Sequence, residues 1–328
     1  MSLLLGKKND RRYKKVPTLS LSDYSSGNPD TRSTFIADLF ASLKHYGFII
    51  LKDHPVSTDL LDRSYALIEK LFTLPEETKR RYIAKVGGRQ RGYTPFGEEH
   101  AKNNAVHDLK EFWHLGRTLE KGHRFESEYP DNIWPAEIAE FQTTLSELYS
   151  SLDRVGDTIL QALTQPLDLP QNYFESMTED GNNILRLLHY PPLAADDDPR
   201  CVRAAAHEDI NLLTILVAAT TSGLELLDRD GQWLPIETSR NNLIVDAGDM
   251  MARITNDVIP ATTHRVVNPQ DGRNDHRYSM PFFIHPNPEA ELKCIPSCVG
   301  AGDKYGPIRA QDFLLERLRA IGMLGPKG

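Results

Sequence analysis

The stretch AAAHEDINLLTILV, Ala204 to Val217, sets His207 and Asp209 two residues apart at the head of an apolar, β-branched-rich run. On a strand, residues i and i+2 project to the same side, so the imidazole and the carboxylate face one way and Glu208 the other. Burying an ionised carboxylate is expensive unless it is paired or bound to a metal. His264, in ATTHRVVNP, is the candidate third ligand. Two histidines and one carboxylate on one face of an octahedron hold a metal and leave three positions open. The bland alternative is a His207–Asp209 hydrogen bond with His264 unrelated to it.

A second pair has the same spacing. Arg277 and Ser279, in RYSMPFF, would share a strand face with Pro281 and Phe283. A planar guanidinium and a hydroxyl together match a carboxylate. A carboxylate-bearing cosubstrate would fit there, close behind the metal. The alternative is a surface arginine on an edge strand, where Pro281 is tolerated.

The elements that must position these groups are legible as periodicities. After Asp180 the chain turns strand-like: NILRLLHYP is stopped by Pro191, and GLELLDRDGQWLPI alternates around the hairpin signal Asp230-Gly231. NNLIVDAGD and RYSMPFFIHP also read as strands. The first half reads as mostly helical. Ile36, Leu39, Phe40 and Leu43 recur at helical spacing, and Ser57 is placed to cap a helix carrying Leu61, Tyr65, Ile68 and Phe72. GFIILK is a short buried strand between them. A long apolar stripe from Ile138 to Leu163 predicts a scaffold helix behind a sheet, and QDFLLERLRAIGM closes the chain with another helix. This order predicts a mainly β fold, a double-sheet core with flanking helices.

Composition narrows the function classes. The chain has 328 residues, 40% hydrophobic and 26% charged, as in an ordinary globular protein with a sizeable core. A net charge of −8 argues against nucleic acid as a partner, and the basic stretch GKKNDRRYKK reads as a solvated arm. No apolar run is long enough for a membrane span or a signal peptide. Three sparse cysteines, Cys201, Cys294 and Cys298, predict reduced thiols and a cytoplasmic setting.

Taken together, HEDINLLTIL, GLELLDRDGQW, AGDMMARITND, THRVVNP and RYSMPFF resemble the isopenicillin N synthase-like branch of the iron(II)/2-oxoglutarate-dependent dioxygenases. VPTLSL, GFIILKDHPV, LFTLPEETK, RGYTPFGEE and DLKEFWHLG stand in the order of that family's N-terminal region, so the resemblance spans nearly the whole chain. It implies a distorted jelly-roll (double-stranded β-helix) core at 166–328, with a helical region at 1–165 packed on it as one catalytic unit. It implies iron(II) on His207, Asp209 and His264, and 2-oxoglutarate held by Arg277 and Ser279 with help from Tyr190 of HYPP. Oxygen is the further cosubstrate and ascorbate a candidate reductant. The implied activity is hydroxylation, desaturation or cyclisation of a small molecule, with release of succinate and carbon dioxide.

Some members of the branch differ. Isopenicillin N synthase itself uses oxygen alone and also has the R-x-S pair, but it carries a glutamine near its C terminus. Here no glutamine follows Gln311, and the tail reads MLGPKG. An ethylene-forming activity on 2-oxoglutarate is a further alternative within the family. A zinc hydrolase and a non-catalytic binding module are the alternatives outside it. For the substrate pocket, GGRQRGYTPFG is the candidate segment: Arg91 and Tyr93, with Arg89 a weaker choice, would meet an anionic or aromatic substrate, and Phe283 would line the pocket. The prime substrate and the oligomeric state are not readable from the sequence.

Overall fold

The computed structural model describes residues 15–85, 90–99, 106–195, 197–198, 200–269 and 273–320. Most of the basic N-terminal stretch, Arg89 and the MLGPKG tail lie outside them. The first half comprises β1 (Thr18–Ser20), α1 (Leu21–Ser25), α2 (Pro29–Tyr46), β2 (Phe48–Lys52), α3 (Thr58–Phe72) and α4 (Glu76–Arg80). It continues through β3 (Gly92–Thr94), β4 (Glu111–Gly116), α5 (Phe141–Thr164) and α6 (Tyr173–Thr178). Then follow β5 (Ile184–Tyr190), β6 (Ala204–His207), β7 (Leu213–Val217), β8 (Leu224–Leu227), β9 (Trp233–Pro235) and β10 (Leu243–Ala247). The last elements are α7 (Asp249–Ile254), β11 (His264–Val266), β12 (Arg277–Ile284), β13 (Glu291–Leu292), β14 (Ile308–Arg309) and α8 (Ala310–Ala320).

Local signals account for the helix ends. Asn28 accepts hydrogen bonds from the amides of Asp30 and Thr31, with Pro29 in the first turn of α2. Ser57 caps α3 by accepting from the amide of Leu60 at 3.2 Å. Gly47 ends α2 in the left-handed region, at φ +68°, where a side chain would also run into Thr262.

Two sheets face one another. The larger has eight strands in the order β1-β2-β10-β7-β12-β5-β4-β3; the smaller has four, β6-β11-β8-β9. The first half is therefore less purely helical than its periodicities predict. β1 to β4 extend the large sheet at both ends, β2 pairing with β10 and β4 with β5. The predicted hairpin forms as β8 and β9, antiparallel across Asp230-Gly231.

Each face of the large sheet has its own core. On the outer face, Met280, Phe282 and Ile284 of β12 join Leu145, Leu152, Val155 and Ile159 of α5 in the main apolar cluster, so the long stripe packs as a scaffold helix behind the sheet. Gly156 lets the two approach closely, because a side chain there would collide with Ile284. Between the sheets lies a second cluster that includes Phe48, Leu188, Leu226, Ile244 and Val266. This interior is only partly filled with apolar side chains, and the rest is an open cavity.

Candidate active site

The cavity measures about 460 Å³ and is bounded by both sheets. At one end the chain brings together the three sequence-predicted ligands. His207 is the last residue of β6 and stands opposite His264 of β11 in the strand register. Asp209 lies just past the end of β6, so a connecting turn rather than a strand aims its carboxylate. One donor atom from each of the three residues lies within 4.8 Å of the other two, and they form the only such cluster among the described residues. Asp209 Oδ1 is 3.8 Å from His207 Nε2 and 3.9 Å from His264 Nε2.

The surroundings orient these groups. His207 Nδ1 lies 2.7 Å from the carbonyl of Ala205, and His264 Nδ1 lies 3.1 Å from that of Thr262. A carbonyl only accepts, so each Nδ1 carries a proton, which leaves Nε2 of each ring as the atom that can ligate a metal. Burial, then the neighbouring His264, push the His207 pKa down to about 4, which keeps the imidazole neutral at pH 7. Burial opposes the charge on Asp209, but both histidines and a hydrogen bond donated by the Thr214 hydroxyl outweigh it and hold the carboxylate below its ordinary range. The backbone of the turn is tied to the start of α7: the amide of Asp249 donates to the Asp209 carbonyl at 2.7 Å. Two imidazoles and one carboxylate fit a divalent metal with open positions.

The second predicted pair lies deeper. Arg277, Ser279, Pro281 and Phe283 all line the cavity, as strand alternation requires. Arg277 is 2% exposed, and its guanidinium meets no carboxylate among the described residues. It donates to the Thr221 carbonyl and to the Ser279 hydroxyl, at 3.3 and 3.4 Å. Tyr190, its register partner on β5, places its ring 4.9 Å from the guanidinium. A buried cation without a counter-ion is costly. The site therefore fits an anionic group, and a carboxylate reaching past the metal would meet that need.

Two substrate expectations are corrected. Arg91 and Tyr93 are 1% and 0% exposed, and neither lines the cavity. On β3 the even residues share a face with Phe112 and His114 of β4, so Arg91 and Tyr93 point to the helical side. Tyr93 donates to Glu111 and Glu76, and Arg91 is packed against Gly116. Phe283 does line the cavity.

Other cavity residues escaped the sequence reading. Arg186 of β5, Glu99, Lys110 and His114 form a charged cluster on the cavity wall. The available signal was parity: Arg186 shares a strand face with Tyr190, in a run otherwise rich in leucine. His285 also lines the cavity, and Leu314 and Leu318 of α8 close one side.

Known proteins match this architecture closely. Residues 16–137 match the family described as the non-haem dioxygenase in morphine synthesis N-terminal region, and residues 181–286 match the 2OG-Fe(II) oxygenase superfamily. The 2-oxoglutarate-Fe(II) type oxidoreductase hxnY of Emericella nidulans is 30% identical over 309 residues, covering 91% of this chain and 88% of that protein. A solved 2OG-Fe(II) oxygenase family protein from Caulobacter crescentus is 44% identical with a TM-score of 0.84, covering 93% of this chain and 99% of its own. A full-length Neurospora crassa protein, solved in complex with alpha-KG and thymine, is 29% identical with a TM-score of 0.83, covering 93% and 96%. With its facing sheets and its convergent His, Asp and His, the chain belongs to the iron(II)- and 2-oxoglutarate-dependent oxygenases.

Proposed function

We propose that His207, Asp209 and His264 hold the iron of this oxidoreductase, and that Arg277 and Ser279, with Tyr190 packed alongside, hold the distal carboxylate of 2-oxoglutarate. One observation carries this reading. A three-donor cluster and a buried guanidinium that meets no carboxylate among the described residues open into the same cavity. Bound together, iron and 2-oxoglutarate supply an oxidant from oxygen that can attack an unactivated C–H bond, with release of succinate and carbon dioxide.

The protein contributes position and exclusion. The carbonyls of Ala205 and Thr262 fix both imidazoles with Nε2 toward Asp209 Oδ1, where the three atoms would hold the metal, and Thr214 holds the other carboxylate oxygen of Asp209. Arg277 supplies a charge that already sits in place, so little reorganisation accompanies cosubstrate binding. Leu188, Leu224 and Val266 line the cavity and limit water within it. The small-molecule substrate would enter beside Phe283 and the wall formed by α8.

The test is spectroscopic. Adding 2-oxoglutarate to the anaerobic iron(II) protein should produce a visible metal-to-ligand charge-transfer band, and admitting oxygen should release succinate. Iron-loaded protein that shows no such band would overturn the cosubstrate assignment in favour of an oxidase using oxygen alone.

A further inference from the structure

The charged cluster around Arg186 has a construction of its own. Arg186 lies between two aromatic rings, its guanidinium carbon 4.4 Å from the Phe112 centroid and 5.2 Å from that of Phe283. Its Nε donates to His114 Nε2 at 2.6 Å, and its Nη1 reaches Glu99 Oε1 at 3.4 Å. The guanidinium is thus held by two rings and by hydrogen bonds to His114 and Glu99. A guanidinium has five N–H donors, and these contacts use two. The remaining edge belongs to a side chain that lines the cavity.

The surrounding charges cancel. Lys110 lies 2.8 Å from Asp108 and 3.7 Å from Glu99, and Arg186 pairs with Glu99. Burial would push Glu99 up, but Arg186 and Lys110 bring its carboxyl down to about 2, so it is ionised. His114 Nε2 accepts the hydrogen bond from Arg186 and so carries no proton itself. Two cations face two carboxylates. An incoming anion would gain Arg186 but meet Glu99 beside it. A neutral acceptor gains the donors without that repulsion.

We infer that Arg186, held between Phe112 and Phe283 and braced by Glu99 and His114, is a specificity-determining residue that donates to a carbonyl oxygen of a neutral, flat-ringed substrate, a cyclic amide or imide. An amide carbonyl is a strong neutral acceptor that a flat ring can carry. Phe283, only partly buried on the cavity side, supplies an apolar surface for the ring. Leu314 and Leu318 offer an apolar wall. Arg186 lines the same cavity as His207, Asp209 and His264, which places this subsite beside the metal site.

This inference rests on the oxygenase reading above, and the experiment separates the two. Anaerobic protein carrying iron(II) and 2-oxoglutarate is titrated with uracil and 2-pyridone, and in parallel with benzoate and nicotinate. Binding is followed by calorimetry and by perturbation of the charge-transfer band. The neutral rings should bind at least tenfold more tightly than the carboxylates. Arg186→Leu should weaken the neutral rings at least tenfold, Arg186→Lys less, with 2-oxoglutarate affinity in both variants within about twofold of wild type. That retained affinity also shows that the variants are folded. Carboxylates binding as well as the neutral rings, an Arg186→Leu protein with unchanged lactam affinity, or a normal band with no neutral ring bound would each overturn the inference alone. Failure of the band in iron-loaded wild type would overturn the underlying reading and this inference with it.

Discussion

His207 and His264 stand directly opposite one another on β6 and β11, with ring centroids 4.4 Å apart. Strand pairing, not the ligand residues themselves, sets this separation. Replacing one ring should therefore remove a ligand without unfolding the sheet. His264→Ala should retain the wild-type circular dichroism spectrum and lose stoichiometric iron, measured by metal analysis after desalting. Tight one-to-one iron in that variant would exclude His264 from the metal site.

Arg277→Leu tests the second pair. Truncating one partner of a buried charge pair costs about 2–5 kcal/mol, which is at least about thirtyfold in affinity. The apparent affinity for 2-oxoglutarate should fall by that factor, while iron binding without cosubstrate stays near wild type. Shorter 2-oxoacids without the distal carboxylate should lose less. Equal losses for both would place Arg277 outside the cosubstrate site.

The two pairs were legible because each depends on a local spacing of two residues on or beside a strand, which alternation converts into a shared direction. Even there the reading was approximate, since Asp209 lies past the end of β6 and a turn aims it. Arg91 and Tyr93 show where local reasoning stops. Which face they present depends on the pairing of β3 with β4, and a register one residue different would have turned both toward the cavity. The cluster of Glu99, Lys110, His114 and Arg186 comes from three separate segments, each carrying its polar residues in an unremarkable context. Only the assembled sheet brings them together. The strands of the first half were likewise obscured, because β1 and β3 have three residues each, too few for a period to show.

Thr214 is a positioning residue for the metal site. Its hydroxyl donates to Asp209 Oδ2 and accepts from Asn211 Nδ2 at 2.9 Å. Loss of such a partner typically lowers metal affinity about 10–100-fold. Thr214→Val should show that loss, and Thr214→Ser, which keeps the hydroxyl, should recover most of it. A competition titration with a chelator reads both. Equal affinities in the two variants would mean that Thr214 acts through packing alone.

His285 gives a pH dependence of known sign. The ring is 8% exposed, and burial lowers its pKa to about 4, against an ordinary value of 6.5. Between those values the unfolded chain binds more protons than the native one, so stability rises with pH across the window. The contribution is complete above about pH 6.5 and lost progressively toward pH 4, at most about 3 kcal/mol. Metal-free His285→Asn should lack that part of the slope. Urea denaturation of both proteins at pH 7.5, 5.5 and 4.5 isolates it, since the other titrating groups are common to the pair. Parallel curves would show that His285 titrates normally in the folded protein.

Gly248 offers the sharpest steric test of how the metal site is held. Its φ of −101° is open to any residue, so the constraint is space and not backbone strain. A side-chain carbon there would meet Asn211 Oδ1, the Asn211 carbonyl oxygen at 2.5 Å and the Asp209 carbonyl oxygen at 2.7 Å. Two of these are backbone atoms of the turn that presents Asp209, and that turn is itself bonded to the amides of Gly248, Asp249 and Met250. The turn has no free direction in which to yield without breaking those bonds. Gly248→Ala should cost about 1–3 kcal/mol of stability, as overpacking does. It should also weaken iron binding, because the displaced backbone carries the Asp209 carboxylate with it. Gly306→Ala is the control, since nothing lies within 4 Å of a side-chain carbon there. Metal affinity unchanged in Gly248→Ala, beside a lowered melting temperature, would show that the carboxylate is placed by Thr214 and the histidines rather than by the turn that carries it.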